Sequence, residues 1–204
     1  MLIDNKLDRY PNDGLNIKSV WNFISKFTNP NTDRIGKIDI VTGFFSVAGL
    51  SALYNELSPE NKYRLILAEM VNDDDFKQKI IDLLQGDMGI ESSLRLSEYA
   101  QNAVAFLQRN TVEVRAITNA FCHAKTYLFK DKCAPAHNYF IMGISNLTDA
   151  GLGRKPSSNI ELNIAETGNN ATYNELNLWF ADQWKSVAQE KILIDPKNKK
   201  IGSD

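Results

Sequence analysis

His123 and Lys125 stand two residues apart in the run Cys122-His123-Ala124-Lys125-Thr126-Tyr127-Leu128-Phe129. The alternation reads as a strand from His123 to Phe129, and residues i and i+2 of a strand project from one face. His123, Lys125, Tyr127 and Phe129 then share a side, with Ala124, Thr126 and Leu128 opposite. An imidazole beside a fixed ammonium suits a phosphate. The lysine neutralises non-bridging oxygens while the histidine attacks phosphorus or donates a proton. So short a spacing also arises by chance on surfaces, far more often than in catalysis.

Two further segments carry polar groups of the right kind. After the apolar run Tyr139 to Met142 comes Gly143-Ile144-Ser145-Asn146-Leu147-Thr148. A glycine lets the chain turn close to a ligand. Ser145, Asn146 and Thr148 offer short hydrogen-bonding groups where a helix begins, and free N–H groups there attract anions. The alternative is a plain strand–turn–helix with Thr148 as N-cap. In Asn159-Ile160-Glu161-Leu162-Asn163-Ile164, Glu161 and Asn163 share one face of a strand, opposite Ile160, Leu162 and Ile164. A carboxylate here could hold the His123 ring in its working tautomer. Equally, Glu161 could face solvent.

Cys122, His123, Cys133 and His137 form a second grouping, four metal-ligating types within sixteen residues. The pattern departs from usual zinc spacings, and adjacent ligands on a strand point to opposite faces. Arg154 and Lys155, in Gly-Leu-Gly-Arg-Lys-Pro-Ser-Ser, could grip a nucleic-acid backbone or simply decorate a solvated loop.

The elements that must position these residues follow from periodicity. Residues 17–28 space Val20, Ile24 and Phe27 as an amphipathic helix, and Asn29 to Asp33 break the chain. Lys37 to Gly43 alternates Ile38 and Ile40 with Asp39 as a strand, and Phe44 to Leu57 is helical. Tyr63 to Ala68 is an apolar strand. Asp73 to Asp75 suit the first turn of a helix reaching Leu84. Ser92 to Gln108 is a helix with Leu94, Tyr99, Ala103 and Leu107 on one face. From Val112 the period becomes two, giving successive strands 112–117, 123–129, 139–142 and 159–165. Tyr173 to Lys185 closes the domain as a helix with Leu176, Phe180 and Trp184 inward. The order predicts an α/β fold, a mixed β-sheet sandwiched by helices.

Composition excludes little else. The 204 residues are 43% hydrophobic and 24% charged, ordinary for a globular chain. Twenty-three Lys and Arg against 25 Asp and Glu argue mildly against a dedicated basic nucleic-acid binder. Residues 112–159 hold six cations (Arg115, Lys125, Lys130, Lys132, Arg154, Lys155) against three anions, enough for one basic face, although scattered charge is as good a reading. Two cysteines make no disulfide framework. The start, MLIDNKLDRYPNDG, lacks an apolar signal-peptide core, and no apolar run approaches the ~20 residues of a membrane span. These features point to a cytoplasmic setting without a membrane partner.

The segments FCHAKTYLFKDK, NYFIMGISNLTDAGLG and NIELNI together resemble the phospholipase D superfamily, whose signature is His-x-Lys, four residues, Asp, then Gly-Ser-x-Asn, with a later acidic residue. VTGFFSVAGLSAL, YRLILAE and LWFADQWK are similar to the single-copy nuclease branch, which includes restriction endonucleases and domains joined to Swi/Snf-type helicases. The resemblance covers roughly residues 15–190 and implies a nuclease-like domain over 1–190, with a polar tail or linker at 191–204. It implies catalysis by His123, Lys125, Asn146 and Glu161, with Ser145 as an accessory substrate-binding group, to which the loop cations Arg154 and Lys155 are added as substrate-binding candidates on their charge. Lys130 stands where the signature has Asp, and Ile144 where it has Ser. The implied chemistry is hydrolysis of a DNA phosphodiester through a phosphohistidine, with no cofactor and no metal. Because that chemistry uses two histidines and one matches, a homodimer with the site on its two-fold axis is implied, with a helicase as a possible further partner or fusion. The other reading is a degenerate module that binds DNA or dimerises without turnover.

Overall fold

The computed structural model describes residues 1–4, 17–27, 34–68, 90–117, 122–156, 159–186 and 188–190. Among these residues eight strands form one mixed sheet: β1 (Leu2–Asp4), β2 (Ile35–Thr42), β3 (Lys62–Ala68), β4 (Val112–Ile117), β5 (Thr126–Asp131), β6 (Tyr139–Gly143), β7 (Leu162–Thr167) and β8 (Ala188–Glu190). Their order is β1-β7-β6-β5-β2-β3-β4-β8. Pairing is parallel between β2, β3 and β4, and antiparallel elsewhere.

Five helices among the described residues cover the sheet: α1 (Val20–Phe27), α2 (Val47–Glu56), α3 (Ile90–Leu107), α4 (Asp149–Leu152) and α5 (Asn170–Ser186). Alternation along the strands sorts side chains into two layers. Ile38, Ile40, Tyr63, Leu65, Leu67, Tyr127, Phe129 and Tyr139 pack with Val20, Phe23, Ile24, Leu50, Leu53 and Phe106 of the first three helices. Val41, Ile66, Leu128 and Phe140 pack with Tyr173, Phe180 and Trp184 of α5. The expected α/β class and the inward face of the last helix are therefore observed.

Several expectations are corrected. The strand expected from His123 begins at Thr126, the first of its residues paired on both sides, with Val41 and Met142; before it, Lys125 keeps one backbone bond, accepting from the Gly143 N–H at 3.2 Å. Likewise β7 starts at Leu162, so Glu161 precedes it. Strands β4 and β5 are consecutive in sequence but are separated in the sheet by β3 and β2. On α3 the buried residues include Ala103 and Phe106, the second absent from the expected face. The helix expected from Asp73 to Leu84 and the tail at 191–204 lie outside the described residues.

Candidate active site

Strands β7, β6, β5 and β2 are consecutive in the sheet. Antiparallel pairing brings the C-terminal ends of β2 and β6 beside the N-terminal ends of β5 and β7. Four segments distant in sequence therefore meet at one end of the sheet: Thr42–Phe44, Cys122–Lys125, Gly143–Leu147 and Glu161–Asn163. Two glycines let them close up. A Cβ on Gly43 would lie 2.8 Å from the Cys122 carbonyl oxygen, and one on Gly143 would lie 2.5 Å from Asn163 Oδ1.

Lys125 is 3% exposed and donates from Nζ to the His123 carbonyl at 2.7 Å. Burial pulls its ammonium below the ordinary lysine range, while Cys122 and Glu161 pull it back. The charged ammonium is thus held in a poorly solvated place with a carboxylate nearby. His123 itself is exposed.

Ser145 is fully buried, and three groups fix it. Its N–H donates to Asn163 Oδ1 at 3.2 Å, and Asn163 Nδ2 donates to its hydroxyl oxygen at 2.8 Å. Its hydroxyl donates to Glu161 Oε2 at 3.0 Å, and Tyr127 donates from its phenol to the Ser145 carbonyl at 3.0 Å. Burial pushes the Tyr127 phenol well above the usual tyrosine range, and the Glu161 charge adds to this. Glu161 is 8% exposed, so the solvent-facing alternative is overturned: the sheet end turns it inward.

Asn146 accepts at Oδ1 from the Phe44 N–H at 3.1 Å, which turns its Nδ2 donors away from that backbone. Thr42 supports the same loop, donating to the Phe44 carbonyl at 2.6 Å and accepting from the Leu147 N–H at 3.2 Å. Thr42 is fully buried and is not legible in the sequence as a site residue, although a hydroxyl ending a strand just before Gly43 is the available signal. Thr148 caps α4, accepting from the Gly151 N–H at 3.0 Å.

The two departures from the resembled signature have local geometry. Ile144 is exposed, and Ser145 beside it supplies the inward hydroxyl. Lys130 is exposed, while Asp131 is buried, accepts from the Cys133 and Ala134 N–H groups at 2.8 and 2.9 Å, and pairs with Arg34 at 3.2 Å. Asp131 thereby closes the β5–β6 connection.

Other candidates fall elsewhere. The zinc quartet is divided, with Cys122 and His123 before β5 and Cys133 and His137 beyond its far end, roughly 20 Å apart at ~3.3 Å per residue. Among the described residues no group of three or more His, Cys, Asp or Glu is arranged to hold a metal. Arg154 lies over the Trp21 ring at 5.1 Å and pairs with Asp149 at 3.5 Å, while Lys155 is exposed. The six cations of 112–159 do not form one basic face: Arg115 stacks on Trp184, Lys125 enters the site, and Lys130 sits at the opposite end of β5. No helix among the described residues is long and apolar enough to cross a membrane.

No protein-family model matches the chain, and no curated protein matches it. Among solved structures it is similar to Nuc from Salmonella typhimurium, a phospholipase D family member. Identity is 13% and the TM-score 0.46, with 81% of this chain and 88% of that chain covered. A likeness of that size decides neither chemistry nor substrate.

Proposed function

We propose that the chain is a phosphodiesterase of phospholipase D type that cleaves DNA through a phosphohistidine at His123. The observation that carries this reading is the convergence of exposed His123, buried Lys125, Asn146 and the Ser145–Glu161 pair at the end of four adjacent strands. In the proposed reaction an imidazole nitrogen of His123 attacks phosphorus and the bond to the leaving oxygen breaks. Lys125 and the Asn146 amide stabilise the charge gathering on the non-bridging oxygens. Water then attacks the phosphohistidine, the bond from phosphorus to the imidazole breaks, and the water proton returns to the group that protonated the leaving oxygen.

The leaving oxygen needs a proton, and His123 is already the nucleophile. The proposed donor is the partner subunit's His123 in a homodimer built around this sheet end. An unusual surface supports that arrangement. Along β6, β7 and the residues flanking them, the polar side chains Asn163 and Glu161 are inside, while Met142, Ile144, Ile160, Leu162 and Ile164 are exposed. Met142 pairs with Ile164 across the strands, so the apolar side chains adjoin one another next to the site. The five side chains carry no charge themselves, and Asp4 of β1 stands directly opposite Leu162, so a copy that meets this patch must leave Asp4 at its rim.

The test is incubation with labelled DNA in EDTA, followed by acid-sensitive adduct mapping. Cleavage with a phosphate adduct at His123, absent in His123→Ala, is the expected result. DNA binding without turnover would instead make the chain a non-catalytic module, and hydrolysis of a phosphatidyl lipid alone would replace the substrate class. A restriction or helicase-associated role is the setting we propose for such a nuclease.

A further inference from the structure

The end of the sheet opposite the candidate site carries a different feature. Lys130 of β5 pairs directly with Lys37 of β2, and Lys37 pairs directly with Lys62 of β3. Cross-strand partners project from the same face, so three lysines stand in a row across three neighbouring strands. Adjacent strands are ~4.8 Å apart, which makes the row about 10 Å long. Arg34 and Lys132 flank it, joined through the Lys132 N–H donating to the Arg34 carbonyl at 2.7 Å.

Like charges directly opposite one another destabilise a sheet. Strand lysines often guard a sheet edge against mispairing, but β5, β2 and β3 are interior strands, so that explanation does not apply. Among the described residues no carboxylate forms an ion pair with Lys62 or Lys130, and Glu113 of β4 stands across from Arg64, diagonal to Lys62. Asp39 takes Lys37 at 2.9 Å but also a two-pronged contact from Arg64 at 2.7 and 2.8 Å. Asp131 is paired with Arg34. Glu60, in the turn before Lys62, is the remaining acid close in sequence. Lys62 and Lys130 are both exposed.

We propose that the Lys130–Lys37–Lys62 row is a second contact for a nucleic-acid backbone. This inference rests on the reading of a DNA phosphodiester as substrate and extends it to how the polymer is held. Among the described residues none of the exposed large apolar side chains lies on β2, β3 or β5; on this sheet face the exposed ones, Leu178 and Trp179, belong to α5. Protein interfaces deplete lysine from their cores and need apolar anchors, so a polyanion fits this surface better than a protein. A duplex carries about one charge per 1.7 Å of axis, so a 10 Å row meets several phosphates. Lys130 lies five residues along the chain from Lys125, ~17 Å at strand rise, and on the other face, so a bound polymer touching both must curve around the sheet.

The test compares the full chain with its Lys62→Gln/Lys130→Gln double variant, using anisotropy of a fluorescent duplex in EDTA across a salt series. Neither lysine belongs to the candidate active site. The salt dependence of log K should weaken by about 2 in slope, near 0.9 for each phosphate no longer neutralised, and affinity should fall about 10-fold or more. The Lys62→Arg/Lys130→Arg pair should keep the wild-type slope. The glutamine variant should melt no lower than wild type, since it relieves like-charge neighbours. An unchanged slope, or a wild type that binds no duplex, overturns the proposal. Cleavage with an unchanged slope sinks the lysine row and leaves the active-site reading standing. A lowered slope without cleavage does the reverse.

Discussion

Asn163 donates from Nδ2 to the Ser145 hydroxyl oxygen at 2.8 Å, and this single bond sets the direction of the serine proton. With that oxygen already accepting, the hydroxyl hydrogen goes to Glu161 Oε2, 3.0 Å away. Glu161 is thereby held as an acceptor near Lys125, and the Ser145 loop is held against Tyr127. Removing the hydroxyl takes the acceptor from Asn163 Nδ2 and one donor from Glu161 Oε2 in a buried place. Ser145→Ala should therefore cost about 1–3 kcal/mol of stability, seen as an earlier urea midpoint. A midpoint equal to wild type would mean the network carries no such weight.

His123→Ala should separate chemistry from folding. The side chain is exposed, so its removal should leave the melting temperature within a few degrees while cleavage of labelled DNA disappears. Retained cleavage would remove His123 from the proposed role.

Asn146→Asp keeps an oxygen for the Phe44 N–H but replaces the Nδ2 donors with negative charge facing an anionic substrate. Loss of one such donor costs on the order of 100-fold in kcat, and the added charge should deepen it. Steady-state kinetics on a short oligonucleotide would show this, with circular dichroism unchanged.

The patch on β6 and β7 predicts association. Leu162→Glu with Ile164→Glu should convert a sedimenting dimer to a monomer and abolish cleavage, without lowering the monomer's melting temperature, because both side chains are exposed. A wild type that sediments as a monomer at all concentrations would rule out the shared site.

Alkaline pH should unfold the chain. Burial pushes the Tyr63 phenol up to about 12, and burial raises Tyr127 and Tyr173 as well. A folded-state value above the ordinary 10 means the unfolded state loses its proton first. The stability is then fully present below about pH 10 and falls as pH rises toward 12. Tyr63→Phe should flatten that fall, measured as the melting temperature between pH 9 and pH 12. An identical slope in the variant would contradict the assignment.

The local chemistry is legible from the sequence because it is short-range. The His123–Lys125 pair, the Thr148 cap, the opposite faces of Glu161 and Leu162, and the helices from Val20 and Val47 follow from spacing and side-chain type alone. Periodicity also gives the α/β class, since each period reports one element. What spacing cannot encode is which face becomes the inside. By alternation Asp39 reads as the polar side of a half-exposed strand. In the fold it is 2% exposed and pairs with Arg64, whose guanidinium lies over the Phe180 ring of α5 at 4.7 Å. Glu161 and Asn163 read as no more buried than Leu162 and Ile164, and the tertiary structure reverses that. Thr42 and Asn163 become site residues only when antiparallel pairing places the ends of β2, β6, β5 and β7 together, and the lysine row exists only because β5 crosses back beside β2. Those outcomes depend on contacts between segments up to about a hundred residues apart, decided by long-range strand order, not by local preference.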